Sequence, residues 1–337
     1  MRIGIVGATG YAGLELLRLL GSHPEAEIVV ATGDSNAGRS VAEHAPALAA
    51  LFPTLVYQST EAILTSDVDA VFVALPHGHS QPYVAALRER DVTVIDLGAD
   101  FRLRDADDYP QWYGQEHQFP HLLSDAVYSL VERHRSQLPG ARLLAVPGCY
   151  PTATALALGP FVDAGIITKE QIIVNALSGV SGAGRSPSER LHFPRLSGNA
   201  EAYGLVNHRH TVEMQRELGV SLLFTPHLIP VSRGMLVTAY GPLTREMSTA
   251  QALDLLRTTY VHDPCVVVVD EAPALKDAVG SNLCFISARV DPRTGWVIVM
   301  SAIDNLIKGA AGQAVQAWNV SNGFDETLGL PMSGLTP

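Results

Sequence analysis

Residues 3–13 read Ile3-Gly4-Ile5-Val6-Gly7-Ala8-Thr9-Gly10-Tyr11-Ala12-Gly13, which is an apolar run followed by a glycine-rich turn. Residues 3–6 predict a short buried strand, and residues 11–20 have the apolar spacing of a helix. Glycines between a strand and a helix let the backbone turn tightly and approach a pyrophosphate, which then lies on the helix N-terminus. The turn alone is a weak signal, but its place in a strand–turn–helix unit predicts dinucleotide binding.

Short apolar runs alternate with helical patterns up to residue 148. This alternation predicts βαβ units and a parallel sheet. The further strands that we expect here are 27–31, 71–75, 93–97 and 143–146, with a helix at 80–88. We therefore expect a Rossmann dinucleotide-binding domain at residues 1–148.

The pattern changes from about residue 150. A helical stretch at 152–164 is followed by longer, β-branched strands at 171–177, 236–240, 265–269, 283–290 and 296–302. These strands predict a second α/β domain with a mixed sheet at residues 149–304, and amphipathic strands of this length often build a dimer interface. A last helix is expected at 306–320, in a C-terminal segment that covers 305–337. The fold class is therefore α/β with two domains.

Composition excludes several classes of function. The 337 residues carry a net charge of −11, so that binding to nucleic acid or to an anionic membrane is not expected. Three cysteines without a CxxC pair argue against a disulfide framework and against a metal site. The N-terminus runs directly into the first strand, and no apolar run has the length of a membrane span. We expect a cytoplasmic protein that binds no metal.

The segment after the second strand leaves the choice between NAD and NADP open. A carboxylate at this position favours the ribose 2′-hydroxyl of NAD, whereas Arg or hydroxyl side chains accommodate the 2′-phosphate of NADP. Thr32, Ser35 and Arg39 are suited to a phosphate, but Asp34 would repel it.

Cys149 is the predicted nucleophile. It follows Pro147-Gly148 at the end of a strand, and a helix is expected to begin a few residues later. A thiol at a helix N-terminus feels the positive end of the dipole, which lowers the pKa of the thiol and favours thiolate. Cys265 and Cys284 lie inside apolar strands and fit the commoner structural role of a lone cysteine.

A thiolate that attacks a carbonyl carbon needs a proton carrier, and histidine is the usual one. His208 and His210 flank Arg209 in a polar stretch that a core would not select, and we predict His208 as the acid/base with His210 as the alternate. His77, which follows Pro76 at the end of the strand at 71–75, and His79 are expected on the cofactor side.

Two loops are candidates for holding a phosphate. Residues 178–185 combine hydroxyls, glycines and Arg185 directly after a predicted strand, although a plain flexible loop is the alternative. Residues 100–102, which end in Arg102, follow the strand at 93–97 and are the weaker candidate.

Together these motifs resemble the N-acetyl-gamma-glutamyl-phosphate reductase family, which belongs with aspartate-semialdehyde dehydrogenase in one superfamily. The matching pieces run in order over nearly the whole chain: residues 7–13, 75–78, 96–102, 147–152, 178–185, 208–210 and 302–309. The Cys149 and His208-Arg209-His210 motifs are the most specific to this family.

The resemblance implies N-acetyl-glutamyl 5-phosphate as the substrate, NADPH as the hydride donor and a thioester on Cys149. It also implies a homodimer or homotetramer, and a C-terminal helix that returns to the first domain. On matching positions it implies Cys149 as the nucleophile, His208 as the acid/base and Asn305 near the nicotinamide. We also expect Ser181 and Gly182 to bind the cofactor, and Ser178, Arg102, Arg185 and His210 to hold the substrate or its phosphate.

The sequence departs from the family pattern at two places, and two alternative functions remain open. The family often has Ser-Arg-Arg after the second strand, where this chain has Gly33-Asp34-Ser35, and its usual Tyr-Gly-Leu-Pro-Glu is replaced at residues 128–132. A sister reductase that acts on aminoadipyl phosphate differs by one methylene, which a pocket discriminates by about 1–3 kcal/mol. A non-enzymatic NADP sensor is the remote alternative.

Overall fold

The computed structural model describes residues 1–335, which form two compact units. The first unit contains residues Met1–Pro147 and Ala310–Leu330, so a C-terminal segment packs with the N-terminal part of the chain. The second unit contains Gly148–Gly309 and the tail that begins at Pro331.

The first unit is built on a six-stranded sheet in which every pairing is parallel. Its spatial order is β2-β1-β3-β4-β6-β5. The strands are β1 Arg2–Val6, β2 Glu27–Ala31, β3 Ala70–Val73, β4 Thr93–Asp96, β5 Val127–Tyr128 and β6 Leu143–Ala145. The predicted strands therefore form within two residues of their expected ends, and only the two-residue β5 was not predicted.

The second unit is built on a seven-stranded mixed sheet of order β11-β12-β13-β10-β7-β9-β8. The pairs β7–β9 and β11–β12 are parallel, and the others are antiparallel. The strands are β7 Ile172–Gly179, β8 Glu201–Ala202, β9 Leu222–Ile229, β10 Met235–Pro242, β11 Val266–Val268, β12 Cys284–Asp291 and β13 Trp296–Ile303. The mixed sheet confirms the expected fold class.

Eleven α-helices lie within residues 1–335 of the two units. In chain order they are α1 Tyr11–Leu20, α2 Val41–His44, α3 Gln81–Glu89, α4 Asp108–Tyr113, α5 Val131–His134, α6 Cys149–Asp163, α7 Phe193–Leu196, α8 His210–Leu218, α9 Thr249–Thr259, α10 Leu275–Ala278 and α11 Gly312–Ser321. A π-helical turn, Ile307–Ala311, precedes α11. Among the helices of residues 1–335 we find none whose length and apolarity would let it cross a membrane.

Helix α6 is the central helix of the second unit. Its residues from Tyr150 to Val162 are buried all round, which is typical of a helix inside a core rather than on a surface. It packs against β10 and β13 on one face of the mixed sheet. Because the helix is fixed by this packing, its first residue, Cys149, has a defined position.

Candidate active site

The glycine-rich turn of the first unit has the geometry of a phosphate cradle. Gly7 has a φ of +77°, which favours glycine, and the Gly10 N–H donates to the Gly7 carbonyl at 3.2 Å. A Cβ on Gly13 would lie 2.2 Å from the Gly7 carbonyl oxygen, so that only glycine lets α1 approach the loop this closely. Thr9, Tyr11 and Ala12 lie on the same turn, with Tyr11 exposed at the start of α1.

The end of β2 separates the residues that were considered for the 2′-phosphate. Thr32 is fully buried, and its hydroxyl accepts from the Gly7 N–H at 3.4 Å, so Thr32 supports the loop from inside. The Asp34 carboxylate accepts from the Thr60 N–H at 2.7 Å. Ser35 and Arg39 are exposed beside it. One oxygen of Asp34 is thus engaged by the fold, and two side chains suited to a phosphate remain at the surface.

The segment 76–80 follows β3 and lies near the carboxyl end of the parallel sheet, where nucleotides bind in open α/β sheets. Pro76 and His79 are exposed and His77 is half-buried, with its ring centroid 5.5 Å from that of Tyr113. Asp100 fixes the backbone of this segment, because its carboxylate accepts from the Gly78 N–H at 2.6 Å and from the Ser80 N–H at 3.1 Å.

Arg102 connects the ends of two strands. Its Nε donates to the Val146 carbonyl at 2.7 Å, and one terminal nitrogen donates to the Leu97 carbonyl at 2.8 Å. The guanidinium therefore lies at the carboxyl ends of β4 and β6. Two of its donors are already used by the protein backbone.

Cys149 is the first residue of α6, so the helix begins at the cysteine itself and not a few residues later as expected. Gly148 is the N-cap, and its N–H donates at 2.8 Å to the carboxylate of Glu213, which is buried. A Cβ on Gly309 would lie 2.7 Å from the Cys149 Cβ, so that a glycine is required beside the thiol. Cys149 is partly exposed, whereas Cys265 and Cys284 are fully buried.

A cluster of rings surrounds the residue that follows the cysteine. We call it the aromatic cluster, and it consists of Tyr150, Tyr203, His208, His210 and Phe224. The Tyr150 ring centroid is 5.5 Å from that of His208 and 5.8 Å from that of His210, and the Tyr150 and Tyr203 hydroxyls are 2.8 Å apart. The fold therefore brings both predicted histidines next to Tyr150, although they are some sixty residues away in the chain.

Burial governs the electrostatics of the aromatic cluster. Burial, with the charge of Arg209 as a smaller cause, lowers the pKa of His208 to about 4. Burial raises the pKa of Tyr203 to about 12, and it also raises the pKa of Tyr150. The His210 N–H donates to His208 Nδ1 at 3.2 Å, which assigns the proton of the neutral imidazole to Nε2. At neutral pH His208 is therefore uncharged and offers an Nε2–H donor.

The loop after β7 gathers four more of the predicted residues. The Asn305 amide donates to the Ser181 hydroxyl at 2.9 Å, and its carbonyl accepts from the Gly234 N–H at 2.8 Å. A Cβ on Gly182 would lie 3.1 Å from the Ser178 hydroxyl and 3.6 Å from the Asn305 amide nitrogen. The Ser178 side chain opposes the rise in the pKa of Tyr150, so Ser178 lies beside the aromatic cluster. Arg185, further along the loop, is exposed.

Sequence reasoning missed three polar residues near the cysteine. Glu213 and Tyr203 carry no local motif, and their contacts join positions more than fifty residues apart. Arg190 lies with its guanidinium carbon 5.0 Å from the Tyr203 ring centroid. Its Nε and Nη2 are buried and make no hydrogen bond among residues 1–335, although Nε forms an ion pair with the Glu201 carboxylate at 3.6 Å.

Comparison with known proteins supplies further findings. The family model described as semialdehyde dehydrogenase, NAD binding domain, matches residues 2–141, and the one described as semialdehyde dehydrogenase, dimerisation domain, matches residues 149–305. An N-acetyl-gamma-glutamyl-phosphate reductase of Symbiobacterium thermophilum is 46% identical over 99% of this chain and 98% of its own length. The reductase of the same name from Acidithiobacillus ferrooxidans is 44% identical, with both chains fully covered.

Solved structures agree with this fold. Aspartate semialdehyde dehydrogenase II of Vibrio cholerae superposes with a TM-score of 0.72 at 19% identity, over 95% of this chain and 97% of its own. The Candida albicans aspartate semialdehyde dehydrogenase, solved with NADP, gives a TM-score of 0.70 at 15% identity, over 95% and 98% of the two chains. At such identities the likeness establishes the α/β architecture.

Proposed function

Because the chain belongs to the N-acetyl-gamma-glutamyl-phosphate reductase family, we propose that it reduces N-acetyl-L-glutamyl 5-phosphate with NADPH. The products are N-acetyl-L-glutamate 5-semialdehyde and phosphate, a step of arginine biosynthesis. The observation that carries this proposal is the position of Cys149, which is the first residue of the buried helix α6 and neighbours the aromatic cluster with His208.

The first half of the proposed reaction uses the thiol. The N-terminus of α6 favours the thiolate of Cys149, which attacks the acyl carbon. The bond between that carbon and the phosphate oxygen breaks, phosphate leaves with the electron pair, and a thioester remains. An acyl phosphate already carries a good leaving group, so the residues around it mainly orient the substrate and stabilise the oxyanion.

His208 fits the second role because its neutral ring presents an Nε2–H. We assign to this donor the stabilisation of the oxyanion and the transfer of the proton, with His210 as the alternate. Bound NADPH supplies the hydride that converts the thioester to the aldehyde and releases the thiolate. Ser178, His210, Arg102 and Arg185 are proposed to hold the substrate or its phosphate. Arg190 joins them because its buried Nη2 makes no hydrogen bond among the described residues, while its Nε pairs with Glu201 at 3.6 Å.

The nucleotide-binding turn fits a dinucleotide because of the space it leaves. The glycines at 7 and 13 admit no side chain, which leaves backbone N–H groups at the start of α1 to face a pyrophosphate. We propose that Thr9, Gly10, Tyr11 and Ala12 complete this cradle, that Ser35 and Arg39 hold the 2′-phosphate, and that Pro76, His77, Ser181, Gly182 and Asn305 contact the nicotinamide half. The support for NADP is the exposed pair Ser35 and Arg39, since the contact of Asp34 with Thr60 engages one carboxylate oxygen and leaves its charge in place.

One assay tests the reaction. N-acetyl-glutamate semialdehyde is oxidised in the presence of phosphate, with NADP and NAD in parallel and with the aminoadipate analogue as a second substrate. We expect phosphate-dependent reduction of NADP, faster than that of NAD and faster with the glutamate compound. Turnover that is independent of phosphate would contradict the acyl-phosphate reaction. A preference for the analogue would favour the aminoadipyl reductase.

We also propose self-association through the open face of the mixed sheet. On β7, β10 and β13, buried residues alternate with partly exposed ones. The partly exposed residues form cross-strand rows, one of which joins Ile173, Tyr240 and Ile298. A half-open apolar face of this size suits an interface with a second copy, and the matching family model is described as a dimerisation domain.

This interface is tested by Tyr240→Arg, which places a charge in the middle of the row. We expect the homodimer, or the dimer pair of a homotetramer, to dissociate when mass is measured by light scattering during size-exclusion chromatography. Val261→Arg is the matched control, because Val261 is 68% exposed and lies outside the sheet. An unchanged mass for Tyr240→Arg would contradict the assignment.

A further inference from the structure

Two buried carboxylates of the first unit share one hydroxyl group. Asp96, the last residue of β4, is fully buried, and Asp100 is 1% exposed. The Ser80 hydroxyl oxygen lies 3.1 Å from Asp96 Oδ2 and 2.7 Å from Asp100 Oδ2. We call Asp96 and Asp100 the carboxylate pair, and Ser80 its bridge.

Hydrogen counting requires an additional proton in this group. A serine hydroxyl carries one hydrogen and donates it to one acceptor, whereas an ionised carboxylate only accepts. If both acids were ionised, one of the two short contacts would join lone pairs in a buried site, which is strongly unfavourable. One of the two acids must therefore donate to Ser80.

The surrounding donors identify which acid carries the proton. Asp100 accepts three hydrogen bonds, from the Gly78 N–H, the Ser80 N–H and the Ser80 hydroxyl, so both of its oxygens already act as acceptors. Asp96 accepts one backbone bond, from the Gly98 N–H to Oδ1 at 2.9 Å. In the part of the chain that the structure describes, the hydrogen-bond partner of its Oδ2 is the Ser80 hydroxyl, so the proton belongs on Oδ2.

We infer that Asp96 is held as a carboxylic acid that donates to Ser80, and that this proton leaves the Ser80 hydroxyl hydrogen for Asp100, which holds the segment 76–80 in place for the dinucleotide. Asp96 is thus a positioning residue that acts through Ser80 and Asp100. The part of the inference that concerns the dinucleotide rests on the proposed function. The protonation state does not.

The groups that face Asp96 agree with this assignment. Burial, followed by the negative charge of Asp100, raises the pKa of Asp96 to about 7, while the Gly98 N–H, Ser80 and Arg102 act in the opposite sense. The Asp100 main-chain carbonyl is contacted by His117 Nε2 at 2.7 Å, and burial lowers the pKa of His117, so this ring brings no charge at neutral pH. A Cβ on Gly98 would lie 2.9 Å from Asp96 Oδ1 and 3.3 Å from the Ser80 hydroxyl, so the site is tightly closed.

Two amide substitutions test the inference because they have opposite consequences. In Asp96→Asn the amide still accepts from Gly98 and donates to Ser80, as the protonated acid does. In Asp100→Asn an N–H group confronts the N–H donors of segment 76–80. We expect the Kd for NADPH, measured by fluorescence titration on the full chain, to change less than about twofold in Asp96→Asn and to rise about tenfold or more in Asp100→Asn. Asp107→Asn, on an exposed residue, is the control.

A measurement without nucleotide separates this inference from the proposed function. Infrared difference spectra between the wild type and Asp96→Asn should contain the carbonyl stretch of a protonated carboxylic acid at pH 6, and this band should fade as the pH rises above 7. Absence of the band at pH 6 would overturn the assignment of the proton. An equal loss of NADPH affinity in both variants, with the band present, would overturn the positioning role. A wild type that binds neither dinucleotide would contradict the proposed function and leave the band as the test of the proton.

Discussion

The carboxylate pair of the first unit and the aromatic cluster of the second use buried polar groups in different ways. The Ser80 hydroxyl donates to the Asp100 carboxylate, which also accepts from the backbone N–H groups of Gly78 and Ser80. His208 and Tyr203 are only partly buried, and the tautomer of His208 leaves an Nε2–H that we propose donates to the substrate. The first arrangement fixes a backbone segment, and the second is proposed to present donors to the substrate.

Burial acts on both groups by the same rule, with opposite signs. It raises the pKa of the acid Asp96 to about 7 and lowers the pKa of the base His208 to about 4. In each case the neutral form is favoured. The difference teaches that desolvation has two uses. It fixes a backbone segment where every hydrogen-bond partner lies inside the protein, and it prepares a group for chemistry where one donor is left for the proposed substrate.

The largest expected effect follows from removing the nucleophile of the second unit. Cys149→Ser should lower kcat by at least about a thousandfold, because a serine hydroxyl lacks the nucleophilicity of a thiolate and no thioester forms. The Kd for NADPH should stay unchanged, since the proposed cradle belongs to the first unit. Steady-state kinetics and a binding titration measure the two quantities. Cys284→Ala is the matched control, and normal turnover in Cys149→Ser would refute covalent catalysis.

The next largest effect distinguishes the two histidines. His208→Asn should lower kcat about a hundredfold, because loss of general acid–base catalysis costs typically 10²–10⁴ in rate. His210→Asn should act mainly on KM, since His210 is proposed to hold the substrate. If the two variants show the reverse pattern, then His210 is the proton carrier and the assignment exchanges.

Local patterns in the sequence predicted much of the first unit and the position of the nucleophile. The strand–glycine–helix turn has its own geometric requirements, which are met by residues close together in the chain, and the same holds for Gly148-Cys149 at the start of α6. The polar stretch around Arg209 predicted His208 as the acid/base, and the resemblance added a place near the nicotinamide for Asn305. These assignments remain predictions until they are tested by substitution.

Contacts between distant residues could not be predicted in this way. Strand β9 was missed because Pro226 and His227 interrupt its apolar pattern, and proline lacks the N–H that a strand needs. The expected helix at 306–320 begins with a π-helical turn. The sequence did not predict this turn, because apolar spacing does not distinguish a single π-helical turn from an α-helical one. The sequence indicated only that Asp96 lies at the end of a strand, because its partner Ser80 is sixteen residues earlier in the chain.

The contributions of Asp96 and His208 to the free energy of unfolding should change with pH in opposite directions. Asp96 binds a proton in the folded state that the unfolded chain releases near pH 4, so its contribution to the free energy of unfolding is present at low pH and is lost as the pH rises toward 7. His208 resists protonation when folded, so its contribution is present above pH 6.5 and is lost as the pH falls toward 4. Each slope is at most about 1.4 kcal/mol per pH unit.

Denaturant unfolding between pH 4 and pH 8 measures both slopes. The stability of the wild type relative to Asp96→Asn should fall with rising pH, and its stability relative to His208→Asn should rise. Equal slopes for the wild type and Asp96→Asn would mean that Asp96 is ionised throughout, which contradicts the shared proton. Equal slopes for the wild type and His208→Asn would mean that the His208 ring of the wild type is hydrated in solution.

The smallest expected effect concerns the turn that connects Tyr203 to His208 in the aromatic cluster. Val206 has a φ of +70°, a backbone region that is costly for a β-branched residue, although its side chain is 83% exposed. The contacts of Tyr203 with Tyr150, and of His208 with the other rings, hold the turn in this conformation. Val206→Asn should raise the free energy of unfolding by about 1 kcal/mol, because asparagine tolerates the left-handed region. Leu205→Asn, at an exposed neighbour without a positive φ, should leave stability unchanged, and equal effects of the two substitutions would show that the turn stores no strain.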